Sequence, residues 1–220
     1  MSTPVASPPL VRTIADLLES LGHVPATRVR FHPLPGTATV RDVVEVERRE
    51  NRLCELVDGV LVEKAMGFRE SLLGVALSGY LRAFAEPRNL GLIAGADGMI
   101  QLFPGLVRIP DVAFVSWARV PGGRVPREPV PELVPDLAVE ILSAGNTPEE
   151  MARKCREYFS SGVRMVWIVD PEARTVTVHS SPGEFQTLGE TDTLAGVPAL
   201  PGFTLAVREL FAALDRQGKA

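Results

Sequence analysis

The stretch Pro135–Gly162, "PDLAVEILSAGNTPEEMARKCREYFSSG", decides the fold. Its first part alternates as a β-strand does. Leu137, Val139 and Ile141 fall on one face; Asp136, Ala138, Glu140 and Leu142 fall on the other. Glu140 therefore stands inside an apolar run, where an unpaired carboxylate is costly. A helix start follows. Thr147 and Glu150 have capping-box spacing, Pro148 takes the first helical position, and Gly162 ends the helix. Successive helical residues turn by about 100°. That gathers Met151, Cys155, Tyr158 and Phe159 on the side that packs against a sheet, and turns Arg153, Arg156 and Glu157 outward. Lys154 falls at the border of the apolar face, about 60° from Met151. It is the basic residue of this helix best placed to reach under it, toward the end of the Glu140 strand. The competing reading is a lysine whose stem covers apolar surface while its head stays in water.

Downstream, "RMVWIVDP" reads as a strand stopped by Pro171, "TVTVHSS" as its neighbour, and "VRELFAALDRQ" as a closing helix. Upstream, "LCELVDGVLVE" is a hairpin around Asp58-Gly59, a dipeptide favoured in two-residue type I′ turns. "ESLLGVALSGYLRAFAEP" places Leu72, Leu73, Ala76, Leu77, Tyr80, Leu81 and Phe84 at helical spacing. "GLIAGADGMIQLF" reads as a strand or a bent strand pair, and "VRIPDVAFVSW" as the next strand. The order predicts an α/β class with a mixed sheet flanked by helices. Residues 51–220 form the main domain. Residues 1–50 form an accessory segment, with short helices in "TIADLLESLG" and "VRDVVEVERRE" and a Pro-rich, disordered lead over the first ten residues.

In "VRIPDVAFVSW", Asp111, Ala113 and Val115 share a face, so small residues again surround an acid. If this strand and the Glu140 strand are antiparallel neighbours, the start of one lies beside the end of the other. Asp111 then comes near Glu140. Converging carboxylates repel and require a cation or a shared proton. A hard divalent ion with oxygen ligands, such as Mg²⁺, satisfies both. An arginine partner for Glu140 and a turn-capping role for Asp111 explain the same residues without a metal.

The bulk numbers narrow the classes. Formal net charge is −4 over 220 residues, which gives no general electrostatic case for a polyanionic partner. A local case rests on Arg119, Arg124 and Arg127, in the loop joining the two acid-bearing strands, where they could contact a nucleic-acid backbone beside the site. Glu128 and Glu132 dilute that loop, and a plain solvated loop fits it equally. Cys54 and Cys155 are the only cysteines and lie far apart, which reads as a reduced, cytoplasmic protein. The N-terminus lacks the pattern of a secretory signal, and no apolar run is long enough to span a bilayer. His23, His32 and His179 are too scattered for a metal triad, Ser143 lacks a GxSxG elbow, and "GADG" lacks the lysine of a phosphate loop.

"ELVDGVLVE", "RIPDVAFVS", "PDLAVEILSAGNTPEEMARKCREYFSSGVRMVWIVDP" and "PGFTL", in this order and spacing, resemble the Uma-two family over about residues 50–212. This is a mainly bacterial group with the restriction-endonuclease-like PD-(D/E)XK fold. The resemblance implies an α-β-β-β-α-β core and a Mg²⁺- (or Mn²⁺-) dependent site that hydrolyses DNA phosphodiesters. It implies metal ligation by Asp111 of the "PD" motif, by Glu140 of the "(D/E)XK" motif and by the backbone carbonyl of Ile141. Glu70, at the start of the core helix, is the expected additional acid, at a position where the family commonly has histidine. Glu55, on the hairpin, is the second candidate and would orient a ligand or a water. The motif's lysine is absent, since position 142 is leucine. In this family it has moved to the next helix, which points to Lys154. The missing lysine and the acidic balance leave an alternative, an inactive nuclease-fold module that binds DNA or a protein partner. A homodimer suits the fold, since cutting both strands needs two sites; no motif sets the oligomeric state.

Overall fold

The structure is a computed structural model that describes residues 12–218; the predicted disordered lead lies outside the described residues. Two helices open it, α1 (Ile14–Ser20) and α2 (Val40–Glu50). A hairpin, β1 (Cys54–Val57) and β2 (Val60–Glu63), leads to the long helix α3 (Phe68–Ala85). Strands β3 (Gly91–Ala94), β4 (Ile100–Phe103), β5 (Leu106–Arg108), β6 (Val112–Ser116) and β7 (Leu137–Ile141) follow. Helix α4 (Pro148–Ser160) precedes β8 (Met165–Asp170), β9 (Thr175–Ser181), β10 (Glu184–Leu188), β11 (Thr193–Ala195), β12 (Thr204–Ala206) and α5 (Val207–Phe211).

Six strands form the main sheet in the order β10-β9-β8-β7-β6-β3, and β2-β1-β5-β4 form a second. Within the main sheet β7 pairs antiparallel with β6 and parallel with β8, the parallel pair being bridged by α4. Helix α3, strands β3, β6 and β7, helix α4 and strand β8 are the expected α-β-β-β-α-β core. "GLIAGADGMIQLF" is the bent strand pair of the two readings given for it, and "VRIPDVAFVSW", expected as a single strand, is divided as well. Gly95–Gly98 separates β3 from β4, and Ile109-Pro110 separates β5 from β6, so each stretch serves both sheets. Proline carries no N–H for a ladder, which makes Pro110 a natural exit from one sheet to the other.

The alternation in β7 becomes a two-sided core. Leu137, Val139 and Ile141 pack with Val112, Phe114 and Trp167 against Leu73, Leu77 and Leu81 of α3. On the other face Ala138, Ala113 and Val166 pack with Cys155 and Tyr158 of α4 and with Leu17 and Leu21. The small Ala113 and Ala138 leave room beneath α4 for the Tyr158 ring. Asp58 (φ 50°) and Gly59 (φ 73°) make the expected tight turn of the hairpin.

The capping box of α4 forms by half. The Thr147 hydroxyl accepts from the Glu150 N–H at 3.1 Å, but the Glu150 side chain does not return to the cap. Its two oxygens bind the Arg28 guanidinium at 2.8 and 2.9 Å, buried on both sides. The outward face expected for α4 also differs. Arg156 is exposed, but Arg153 and Glu157 are mostly covered, because the N-terminal segment and the hairpin lie over them. Arg153 donates to the Ser20 carbonyl and reaches Asp58 at 2.7 Å.

Candidate active site

Strands β6 and β7 pair with Val112 opposite Val139, and the Asp111 N–H donates to the Val139 carbonyl at 2.9 Å. Asp111 and Glu140 are thus neighbours at one end of the sheet, as the assumed antiparallel pairing requires. Asp111 Oδ2 accepts from the Ile141 N–H at 2.6 Å, which ties the carboxylate to the last residue of β7. Its other oxygen, Oδ1, lies 2.9 Å from Lys64 Nζ.

Glu140 is buried. Its Oε2 lies 3.0 Å from Lys154 Nζ and its Oε1 accepts from the Tyr158 hydroxyl at 2.5 Å. Lys154 does come under α4, as its place on the helical wheel predicts, with a side chain only 3% exposed. Its ammonium is shared, lying also 3.0 Å from Glu55 Oε1. Glu55 is held in turn by Arg108 at 2.6 Å and by the Ile109 N–H at 3.2 Å. Arg108 continues to Glu157, and Glu157 to Arg153 at 2.7 Å. Acids and bases alternate along this buried chain: Glu140, Lys154, Glu55, Arg108, Glu157, Arg153. Lys64 and Asp111 form a separate pair beside it. Buried charges persist only with such mutual pairing.

The electrostatics follow. Burial opposes ionisation of Glu55, but Lys154 and Arg108 outweigh it and hold the carboxyl down at about 2. Burial raises Glu140, with the negative charges of Glu55 and Asp111 adding to it and Lys154 opposing. Burial opposes the charge on Lys154, yet Glu140 and Glu55 together raise its pKa above the ordinary lysine value. The two carboxylates thus favour the charged form of Lys154. Cys54 and Cys155 are buried and unpaired, and burial pushes both thiols up to about 11, so neither offers a thiolate at neutral pH.

Glu70 and Asp111 line one cleft of about 770 Å³ between the start of α3 and the turn after β3. The Glu70 carboxylate folds back over Gly67, where a Cβ would collide with Oε2. Glu55 does not reach this cleft; it stands behind Lys154. The three arginines are placed elsewhere. The loop that carries them leaves the Ser116 end of β6 and returns at the Leu137 end of β7, opposite the Asp111–Glu140 end. The length of β6, roughly 16 Å at about 3.3 Å per residue, separates it from the acids. Arg119 is also spent internally, 3.1 Å from the buried Asp136 and donating to the carbonyls of Val134, Pro135 and Gly162. Arg124 and Arg127 are exposed, in the part of the loop that lies beside Gln101 of β4. The loop is thus anchored at the end of the strands away from the acids, with Arg119 held inside the fold and Arg124 and Arg127 exposed to solvent.

Lys64, Arg108 and Tyr158 were not among the residues read from the sequence as functional. Lys64 follows directly on β2 and donates to the carbonyls of Ala96 (2.9 Å) and Ile109 (2.7 Å) as well as pairing with Asp111. Its only sequence signal is a lysine closing the hairpin in "VEK". Tyr158 stands one helical turn after Lys154 on the same face and reads as packing until its hydroxyl is seen on Glu140.

Among the described residues no three His, Cys, Asp or Glu side chains cluster to hold a metal. A hard cation such as Mg²⁺ needs less, since it is commonly held by one or two carboxylates together with water and substrate phosphate. Two acids on neighbouring strand positions, offering only oxygen donors, fit that requirement, with Glu70 on the same cleft as Asp111.

The arrangement of helices and strands around this acid pair is that of the restriction-endonuclease-like fold. A crystal structure of a "putative nuclease" from Anabaena variabilis matches it with a TM-score of 0.66 at 22% identity, covering 74% of this chain and 92% of that one. The chain belongs to the Uma2 family, described as "Putative restriction endonuclease", whose family model matches residues 40–208. Membership supports a nuclease. No curated protein matches the sequence. No helix among the described residues is long and apolar enough to cross a membrane.

Proposed function

We propose that this protein is a divalent-metal-dependent endonuclease that hydrolyses DNA phosphodiesters. The observation that carries the reading is the meeting of Asp111, Glu140 and Lys154 at one end of a nuclease-fold sheet. Asp111 and Glu140 would hold Mg²⁺ or Mn²⁺, with the carbonyl of Ile141 and with Glu70 from the same cleft. When bound, such an ion acidifies a water and polarises a phosphoryl oxygen. Lys154 stays protonated between Glu55 and Glu140, so it would orient the attacking water or stabilise charge growing on the phosphate. Glu55 and Arg108 fix the position of that ammonium, and Tyr158 fixes the Glu140 carboxylate. Lys64 would hold Asp111 in place and present a second cation.

A second reading has an observation of its own. Every oxygen of Asp111 and Glu140 already has a protein partner. That favours a module that binds DNA or a protein partner without chemistry. Plasmid, linear duplex and single-stranded DNA incubated with Mg²⁺, with Mn²⁺ and with chelator decide between them. Metal-dependent cleavage lost in Asp111→Ala supports the nuclease. Cleavage that survives in an Asp111→Ala, Glu140→Ala double variant sinks this site.

A further inference from the structure

The cleft that reaches Asp111 has walls unlike those of a groove that tracks a phosphate backbone. Met66, Phe68 and Val75 line it and are 67%, 81% and 71% exposed. Contiguous exposed apolar side chains mark a surface that something covers. Cations on and near this wall are engaged: Arg82 lies 2.6 Å from Glu86, and Arg69, beside Phe68, lies 3.0 Å from Glu172. The cleft, at about 770 Å³, has the size of a small-molecule site and cannot enclose a double helix. A duplex offers charged backbone outward and keeps its bases stacked inside. An unpaired strand offers the flat faces of its bases, which pack on aromatic and apolar side chains irrespective of sequence.

Given the nuclease reading above, we infer that this cleft takes an unstacked base against Phe68, so that the substrate is an unpaired nucleic-acid strand. The same cleft carries the apolar wall and the carboxylates of Asp111 and Glu70, so a base lodged at Phe68 brings its own backbone to the acids. Phe68 begins α3 and is mostly in solvent, so replacing it leaves the core intact.

The test uses a short fluorescent oligothymidylate, alone and annealed to oligoadenylate, with the full chain in Ca²⁺ or in chelator to keep the strand whole. The single strand is expected to bind more tightly than the duplex. Phe68→Ser is expected to lose about 5- to 150-fold in affinity for the single strand, the range of one stacked base. Phe68→Trp keeps the affinity, and its emission is quenched by the strand. Equal or tighter binding of the duplex overturns the inference, as does unchanged binding by Phe68→Ser. Sedimentation of both variants without nucleic acid tests a second copy as the occupant. A dimer lost in Phe68→Ser at unchanged affinity overturns the inference in favour of that copy. Cleavage is read separately with Mg²⁺. Duplex cleavage insensitive to Phe68 removes the inference and leaves the nuclease; strand binding at Phe68 with no cleavage of any nucleic acid removes the nuclease and leaves the base site at Phe68.

Discussion

Lys154 of α4 and Glu140 of β7 meet at 3.0 Å, and the same ammonium lies 3.0 Å from Glu55 of the hairpin. A lysine absent two residues after the glutamate is thus supplied by the following helix. Removing it leaves two buried carboxylates without their shared cation. Lys154→Ala is expected to lower stability by about 3–5 kcal/mol. Urea unfolding measures it, and Lys154→Met combined with Glu140→Gln recovers much of the loss, since Glu55 keeps Arg108 and no buried carboxylate is then left without a cation. A Lys154→Ala variant as stable as the wild type would show the buried triad to be misplaced.

Lys64 competes with any cation for Asp111, because its ammonium already sits on Oδ1. Lys64→Met frees that oxygen. Divalent ions are expected to raise its melting temperature at lower concentration than for the wild type, while DNA cleavage falls by about 10-fold or more, the loss of one charged contact to the reacting centre. Thermal shift against Mg²⁺ and Mn²⁺ reads the first; initial rates read the second.

Asp111→Asn and Glu140→Gln keep the shape of the side chains and remove the charge. Each is expected to reduce metal-dependent cleavage by about 100-fold or more. Circular dichroism confirms that the fold survives. Glu70→Gln is expected to weaken the response to metal less, since Glu70 stands on the cleft without joining the buried chain.

Stability carries a signature of Glu55. Its carboxyl is held at about 2 against an ordinary 4.5. Between those values the unfolded chain takes up a proton that the folded one refuses. The stabilisation from Glu55 is complete above pH 4.5 and drains away as pH falls toward 2. The melting temperature of the wild type minus that of Glu55→Gln is expected to be largest above pH 4.5 and to narrow below it.

Arg119→Ala is expected to leave cleavage unchanged while lowering stability by about 1–3 kcal/mol, because it strips a partner from the buried Asp136. Parallel unfolding and cleavage measurements check it.

The part of the site built from neighbouring segments was legible in the sequence. Alternation set Asp111 and Glu140 on comparable faces, and a helical wheel brought Lys154 beneath α4. What stayed hidden depends on segments remote in sequence. Lys64 meets Asp111 only because the second sheet docks its β2 end beside the turn before β6, a tertiary relation without local periodicity. Arg153 and Glu157 were assigned to solvent by the same wheel that placed Lys154. Their helix is covered on a second side by residues near Ser20 and Asp58, which no pattern within the helix announces. Glu150 has the spacing of a cap but serves Arg28, a residue 122 positions away. The arginine loop shares its strands with the acids, yet it is anchored at their other end, which spacing along the chain does not announce.

That connection has a use for the experimenter. It leaves the sheet on the side away from the carboxylates, and its Gly122-Gly123 tip is exposed, with positive φ at both residues. Chain inserted at such a tip disturbs few buried contacts. A fluorophore, an affinity tag or a whole fused domain placed there would report on the protein, or steer it to a chosen target, while the acid pair at the other end of the strands kept its surroundings.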